Sequence, residues 1–298
     1  MREAVDRFVV DGSSVLLGAA LESLIPFAAG HEIIRQKRRG LTLVGPISDM
    51  LFDQLIGAGC VERICAAWVG NVSAGLGHNY RRAVEQGIPS RLVVHDYSNY
   101  GLSLALLAAA WGVPFLPTRS LLGCDLLRTN PALSVEPSPF GGEPLALVEA
   151  LRPDVAFLHV QRAAPDGGAH CWGNLGVTEP AALAARSVVL VAEEIVPIDI
   201  IRSDPNRVLV PGPRVAAVVH EPGGAHPSPV QGHYGRDHGM FHEYHAASRE
   251  QVGFQAWLEQ WVLVVADRPG YLAALGAERW QALQTKQPRL AAPVDYGY

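Results

Sequence analysis

Residues 91–125, RLVVHDYSNYGLSLALLAAAWGVPFLPTRSLLGCD, constrain the fold more than any other stretch of the chain. A short apolar segment, Leu92-Val93-Val94, reads as a buried strand. A polar corner follows, His95-Asp96-Tyr97-Ser98-Asn99. Residues 101–111 are then almost wholly apolar, and residues 113–116 form a second apolar run. Leu and Ala favour helix, and Ser98 or Asn99 can satisfy the free N–H groups of a first turn. A helix without a polar face must be covered on most sides. A parallel strand–helix–strand crossover lying on a sheet provides that cover. In open α/β sheets ligands bind outside the carboxyl ends of the strands, where helix N-termini also point. Tyr97, Ser98 and Asn99 are therefore expected to wall an active site, with helix capping as the alternative role of Ser98 and Asn99.

The same alternation recurs along the chain. Strands are expected at residues 14–17, 41–44, 63–69, 154–160, 187–191, 208–211 and 215–219. Helices are expected at 4–10, 26–39, 50–56, 78–86 and 179–186. Gly40 should stop the second helix and Ser48 should cap the third. Residues 129–142, with three prolines and two glycines, read as an irregular excursion. A long loop at 222–237 precedes three closing helices, roughly 238–248, 250–262 and 269–284. The expected fold is α/β: an open, mostly parallel sheet with right-handed crossovers, flanked by helices and closed by C-terminal helices. The chain reads as a single domain over 1–298, with a loose tail from about residue 287. The strand at 63–69 breaks at Gly70-Asn71, which places Gly70 and Asn71 at the same sheet edge as the Tyr97-Ser98-Asn99 corner.

Composition narrows the function. The 298 residues are 49% hydrophobic and 18% charged, so a sizeable core is expected. A net charge of −5 argues against a nucleic-acid partner. No apolar run reaches ~20 residues, which argues against a membrane span. The charged N-terminus is unlike a signal peptide. The four cysteines lack CxxC spacing and read as reduced, mostly buried thiols in the cytoplasm.

Several familiar motifs are missing. Gly75-Leu76-Gly77 lacks the third glycine of a dinucleotide fingerprint, and there is no P-loop or GxSxG elbow. Six of the 11 histidines fall between His220 and His245, and His238, His242 and His245 have helical spacing. No carboxylate or thiol completes a ligand set on that helix, and Glu243 lies off its face, so no metal is expected. Glu193-Glu194 follows an apolar strand. Neighbouring strand residues point to opposite faces, so only one of the two can face a pocket, as a base or nucleophile or as a structural ion-pair partner.

Seven segments together resemble the A subunit of the coenzyme A transferases of the 3-oxoacid and glutaconate type: IPFAAGHEIIR, DQLIGAGCVERI, DYSNYGLSLALLAAAWGVPFLPTRSLLGCDLL, LRPDVAFLHVQRA, WGNLG, AEEIV and PGGAHPS. The resemblance implies an open α/β fold and a CoA-transferase B subunit as partner, in a heterodimer or heterotetramer. It implies that a glutamate on the B subunit attacks an acyl-CoA thioester, and that a glutamyl-CoA thioester carries CoA to an acceptor carboxylate. This chain would then hold no nucleophile and no tightly bound cofactor, coenzyme A thioester being the substrate. It would wall the acyl pocket with Gly70, Asn71, Tyr97, Ser98 and Asn99. The chain departs from the family at Gly18-Ala19-Ala20, where many relatives have a Gly-Gly-Phe-like turn, and at His95-Asp96, where many have Glu-Glu. A steroid-degrading branch resembles the chain at PGGAH and PFLP. That branch opens a ring hydrolytically, using a glutamate of its A subunit near this corner. Asn99 falls close to that position, and an amide is no general base. A further branch decarboxylates a CoA-linked diacid.

Overall fold

The computed structural model describes residues 1–285; the tail expected to be loose from about residue 287 lies outside them. The first half of the chain alternates as its apolar runs suggest. Helix α1 (Arg2–Phe8) leads to β1 (Ser14–Leu16), α2 (Phe27–Arg35), β2 (Leu41–Val44), α3 (Asp49–Gly57) and β3 (Val61–Ala66). A small hairpin follows, β4 (Gly70–Asn71) with β5 (Gly75–Leu76), then α4 (His78–Gln86), β6 (Val93–Asp96) and α5 (Asn99–Trp111). Gly87 and Gly112 end α4 and α5 in the left-handed region, where the missing Cβ removes the steric penalty. Several expected helix boundaries move, and the closing helix expected at 269–284 is split at Gly276. Helix α2 stops at Arg35, and Lys37, at φ 56°, turns the chain before Gly40 is reached. Ser48 does not cap α3 with its side chain, because its hydroxyl donates to the Leu17 carbonyl at 2.7 Å.

The second apolar run of the opening stretch does not join the parallel sheet. It becomes β7 (Phe115–Thr118), the edge of a separate antiparallel sheet ordered β7-β9-β8. Pro114 and Pro117 remove N–H donors from this run, and an edge strand tolerates that where a central one does not. The stretch expected to be irregular, 129–142, follows α6 (Leu126–Thr129) and is ordered instead: it contains β8 (Leu133–Pro137) and the turn to its hairpin partner β9 (Pro144–Glu149), with Pro137 and Pro144 at the strand ends. The chain then returns with β10 (Val155–Ala163), β11 (Ala169–His170), α7 (Thr178–Ala184), β12 (Ser187–Ile195), α8 (Ile198–Arg202) and β13 (Val215–His220). Residues 208–211 form no strand and contribute one isolated bridge, His170 to Val208. Helices α9 (His238–Ser248), α10 (Gln251–Leu258, extended by a π turn over Glu259–Leu263), α11 (Arg268–Leu275) and α12 (Ala277–Leu283) follow.

The main sheet runs β13-β12-β10-β1-β2-β3-β6, with every neighbouring pair in that order parallel. Strand β1 lies at its centre. Its Val15, and Leu17 just past its end, join Phe157 and Val191 on one face, covered by α2, α3 and the C-terminal helices. Leu16, with Leu158 and Leu190, packs on the other face against α5 and α7. Strand β6 is the open edge, so the expectation that Leu92-Val93-Val94 is a buried strand fails: Val93 is 42% exposed. No helix among the described residues is long and apolar enough to cross a membrane.

Candidate active-site edge

The strand order reverses at β1. From β1 the chain adds β2, β3 and β6 on one side, and later β10, β12 and β13 on the other. The crevice at such a switch point, outside the carboxyl ends of the strands, is where open α/β sheets bind ligands. The backbone there is unusual. Among the described residues four non-glycine residues have positive φ, and three of them, Leu21, Leu24 and Asp49, lie in the segments that follow β1 and β2. Each such conformation costs on the order of 1–3 kcal/mol and persists only when its surroundings hold it. The hold is visible. The Leu24 N–H donates to the Pro229 carbonyl at 3.0 Å, and the Val177 N–H donates to the Ala19 carbonyl at 2.8 Å. Ser228 Oγ donates to the Glu22 carbonyl at 2.8 Å. At Gly18 (φ 70°) a Cβ would lie 2.5 Å from Ser48 Oγ, so only glycine fits beneath that turn.

The opposite wall is built around Glu193 on β12. Its Oε1 accepts from Tyr234 at 2.6 Å and lies 2.7 Å from His159 Nε2; its Oε2 accepts from the Gly223 N–H at 2.8 Å. Burial alone would raise the Glu193 carboxyl, but the bonds from His159, Tyr234 and Gly223 outweigh it and hold the group below the usual carboxylate range. The loop after β13 is also gripped from behind. Arg268 donates through Nε to the Gly223 carbonyl and through Nη2 to the His226 carbonyl. The His226 ring lies between Tyr271 Oη, at 2.9 Å, and Asp237 Oδ2, at 3.1 Å. Burial lowers its pKa to about 4, so it is neutral near pH 7.

The residues singled out from sequence lie at the same edge, further from its centre. Strands β3 and β6 pair with Ala66 opposite Asp96, so both corners do emerge side by side. Gly70 and Asn71 form β4, and Asn71 Nδ2 donates to the Phe241 carbonyl of α9 at 2.8 Å. Tyr97 is buried, and that burial pushes its phenol up to about 12. Ser98 Oγ accepts the Gly101 N–H at 2.9 Å and caps α5. Asn99 is exposed, and its amide has no hydrogen bond among the described residues.

The histidines with helical spacing do not converge. His238 Nδ1 is 3.3 Å from Ser73 Oγ, His242 is exposed, and His245 stacks on His78 with ring centroids 4.5 Å apart. No group of three metal-ligating side chains occurs among the described residues.

Nothing here is a ready nucleophile. Burial pushes the Cys60 and Cys65 thiols up to about 11 and Cys171 to about 12, far from reactive thiolates at neutral pH. Among buried carboxylates, Asp49 is engaged by Arg236 and the Val72 N–H, and Asp53 by Tyr244, Asn79 and the Tyr80 N–H. Burial raises the pKa of both. Glu193 is buried and Glu194 is exposed, the two-sided arrangement expected of neighbours in a strand. The edge can therefore bind, orient and hydrogen-bond a ligand; its buried carboxylates are all engaged, while Asp96 and Glu194 at the ends of β6 and β12 are exposed. Sequence reasoning misses the Glu193 partners and the loop after β1; the only signals for them are the small residues Gly18-Ala19-Ala20 between a strand and a helix, and PGGAH after another strand.

A family model for coenzyme A transferase matches residues 1–221. The A subunit of 3-oxoadipate CoA-transferase from Pseudomonas knackmussii is 41% identical over 262 residues, covering 88% of this chain and 92% of that protein. The crystal structure of glutaconate coenzyme A-transferase from Acidaminococcus fermentans superposes with a TM-score of 0.90 at 32% identity, covering 95% of this chain and 94% of that one. A variant of the decarboxylase AibA/AibB superposes with a TM-score of 0.74 at 29% identity, covering 87% and 96%.

Proposed function

This chain belongs to the coenzyme A transferase family, and we propose that it is the A subunit of a two-subunit enzyme that moves CoA from an acyl-CoA to a carboxylic acid. The observation that carries this reading is the edge itself. It has a strained, tightly held ligand crevice, while its buried carboxylates Glu193, Asp49 and Asp53 are all bonded to other groups. A thioester held there needs an attacking carboxylate from elsewhere, and the B subunit supplies it as a glutamate. Its attack on the thioester leads to a glutamyl-CoA thioester, and the acceptor acid then takes the CoA. The present chain builds the wall with the loops after β1 and β13. From the β3–β6 side the corner of Gly70, Asn71, Tyr97, Ser98 and Asn99 borders the acyl group, and the uncommitted amide of Asn99 makes the direct contact. No tightly bound cofactor takes part, and the pair works in the cytoplasm.

The test is borohydride reduction of the assembled pair in the presence of acyl-CoA. The expected result is loss of activity and a reduced glutamate on the partner, with this chain unmodified. Full activity after reduction, or robust turnover by this chain alone, overturns the reading. Ring-opening hydrolysis is disfavoured by Asn99, whose amide cannot take a proton as a base. Omitting the acceptor acid decides the matter, since a transferase stops and a hydrolase does not.

A further inference from the structure

We infer that a cavity behind the loop after β13 binds a small organic carboxylate on Arg268, and that the bound acid braces that loop. This goes beyond the transferase reading and does not depend on it. The cavity has a volume of about 480 Å³ and lies between α2, the end of β13 and the start of α11. That is room for a small organic molecule. Arg268 is part of its wall and is 4% exposed, yet its guanidinium has no ion pair among the described residues. Its Nε and Nη2 are committed to the Gly223 and His226 carbonyls, while Nη1 is buried without a hydrogen-bond partner. A cation is costly to bury alone, and native structures nearly always partner such a group.

The acidic side chains of the wall are engaged elsewhere. Glu32 pairs with Arg35 at 2.8 Å, and Glu221 faces the Met1 amine at 3.4 Å. Asp267 caps α11, accepting the Gly270 N–H at 2.9 Å. Arg2, exposed in the same wall, adds a further positive charge. The Arg268 guanidinium carbon sits 4.0 Å from the centre of the Tyr271 ring, which orients its plane. A guanidinium fixed in this way, with one donor group left over, is a receptor for an oxyanion. Glu32, Glu221 and Asp267 favour a singly charged carboxylate over a phosphate dianion, and the volume leaves space for an organic body. The cavity is separate from the switch point, but Gly223 links the two: its N–H goes to Glu193 and its carbonyl to Arg268. An anion on Nη1 steadies the guanidinium that holds that carbonyl, and with it the loop.

The experiment uses the full chain as wild type, Ala266→Glu and Arg268→Gln. Benzoate is titrated by calorimetry, with benzamide as its neutral analogue and inorganic phosphate as the other oxyanion. Wild type should bind benzoate about 10-fold or more tighter than either. Ala266 is exposed in the cavity wall two residues from Arg268, so a carboxylate placed there competes for the site without disturbing the core. Ala266→Glu should weaken benzoate about 10–100-fold, and so should Arg268→Gln. The unliganded melting temperatures show whether each variant is folded, and Ala266→Glu decides the matter if Arg268→Gln is not. Amide hydrogen exchange over residues 221–228 should slow about 3-fold or more when benzoate binds wild type, and should not respond to benzoate in Ala266→Glu. No binding to wild type, equal affinity for benzamide, or benzoate binding unchanged in Ala266→Glu overturns the site. Tighter binding of phosphate than of benzoate overturns the carboxylate as its ligand, and benzoate binding with unchanged exchange overturns the bracing of the loop.

Discussion

The loops after β1 and β13 and the corners after β3 and β6 leave the same edge of one sheet, but they are held by different means. The corners are largely self-sufficient. Ser98 caps its own helix, and Asn71 bonds the nearby Ser73 N–H as well as one carbonyl of α9. The central loops depend on distant groups: Glu193 on Tyr234 and Gly223, Leu24 on Pro229, Arg268 on Gly223 and His226. Local bonds suffice where the backbone conformation is ordinary. Where it is not, as at Leu21, Leu24 and Asp49, buried charge and long-range bonds supply the constraint.

The comparison is most sharply tested at Glu193. Glu193→Ala would leave His159, Tyr234 and the Gly223 N–H without their acceptor. It should cost about 3–5 kcal/mol, as breaking a buried charged network does. Urea unfolding of the complex measures this, and a loss below about 1 kcal/mol would mean that the loop does not rely on the network.

Acid should act on the same region next. The His226 pKa falls from 6.5 to about 4 on folding. Between those values the unfolded chain binds a proton that the folded chain does not, so stability falls as pH drops from 6.5 towards 4 and the contribution levels off below. The full effect is about 3 kcal/mol. His226→Gln should flatten this part of the stability–pH curve; an unchanged slope would assign the acid sensitivity to another group. Glu193, whose folded pKa is depressed, adds a loss at lower pH, as the solution passes down through its folded value.

The smallest effects belong to the corner, where two adjacent residues should behave differently. Ser98→Ala removes a helix cap and should cost about 1 kcal/mol of stability with near wild-type kinetics in the complex. Asn99→Ala should leave the melting temperature unchanged and lower kcat/KM by about 10-fold. If Asn99→Ala gives wild-type kinetics, the corner is scaffold and the acyl contact lies elsewhere.

Much of this architecture is legible in the sequence, because it is written in local patterns. Helix α4 and its closing Gly87, the strands β1 and β2, and the Ser98 cap all follow from residues within a few positions of one another. Expectation and structure part where local pattern and tertiary placement diverge. An apolar run holding Pro114, with Pro117 next to it, reads as the second strand of a parallel crossover and is the edge of another sheet. The strand 92–94, apolar like a buried one, is the open edge of the main sheet. The site is harder still. Its centre follows from strand order, and no short window reveals that β1 lies beside β10. Glu193, His159 and Tyr234 come from β12, β10 and a loop, with no spacing that marks them as a unit.

The pairing of β1 with β10 also bears on how the chain comes together. Ser14 and Asp154 lock the two strands through four hydrogen bonds, across a sequence separation of 140 residues. Helices and hairpins on either side form from near neighbours, but closing this loop carries an entropic cost that only the completed contact offsets. During synthesis, strands β1, β2, β3 and β6 all leave the ribosome before Asp154 does. Until it emerges, β1 has an unpaired side, and the crevice at its carboxyl end lacks one wall. The proposed ligand site is thus among the last features of the molecule that can form, and no fragment ending before β10 can contain it.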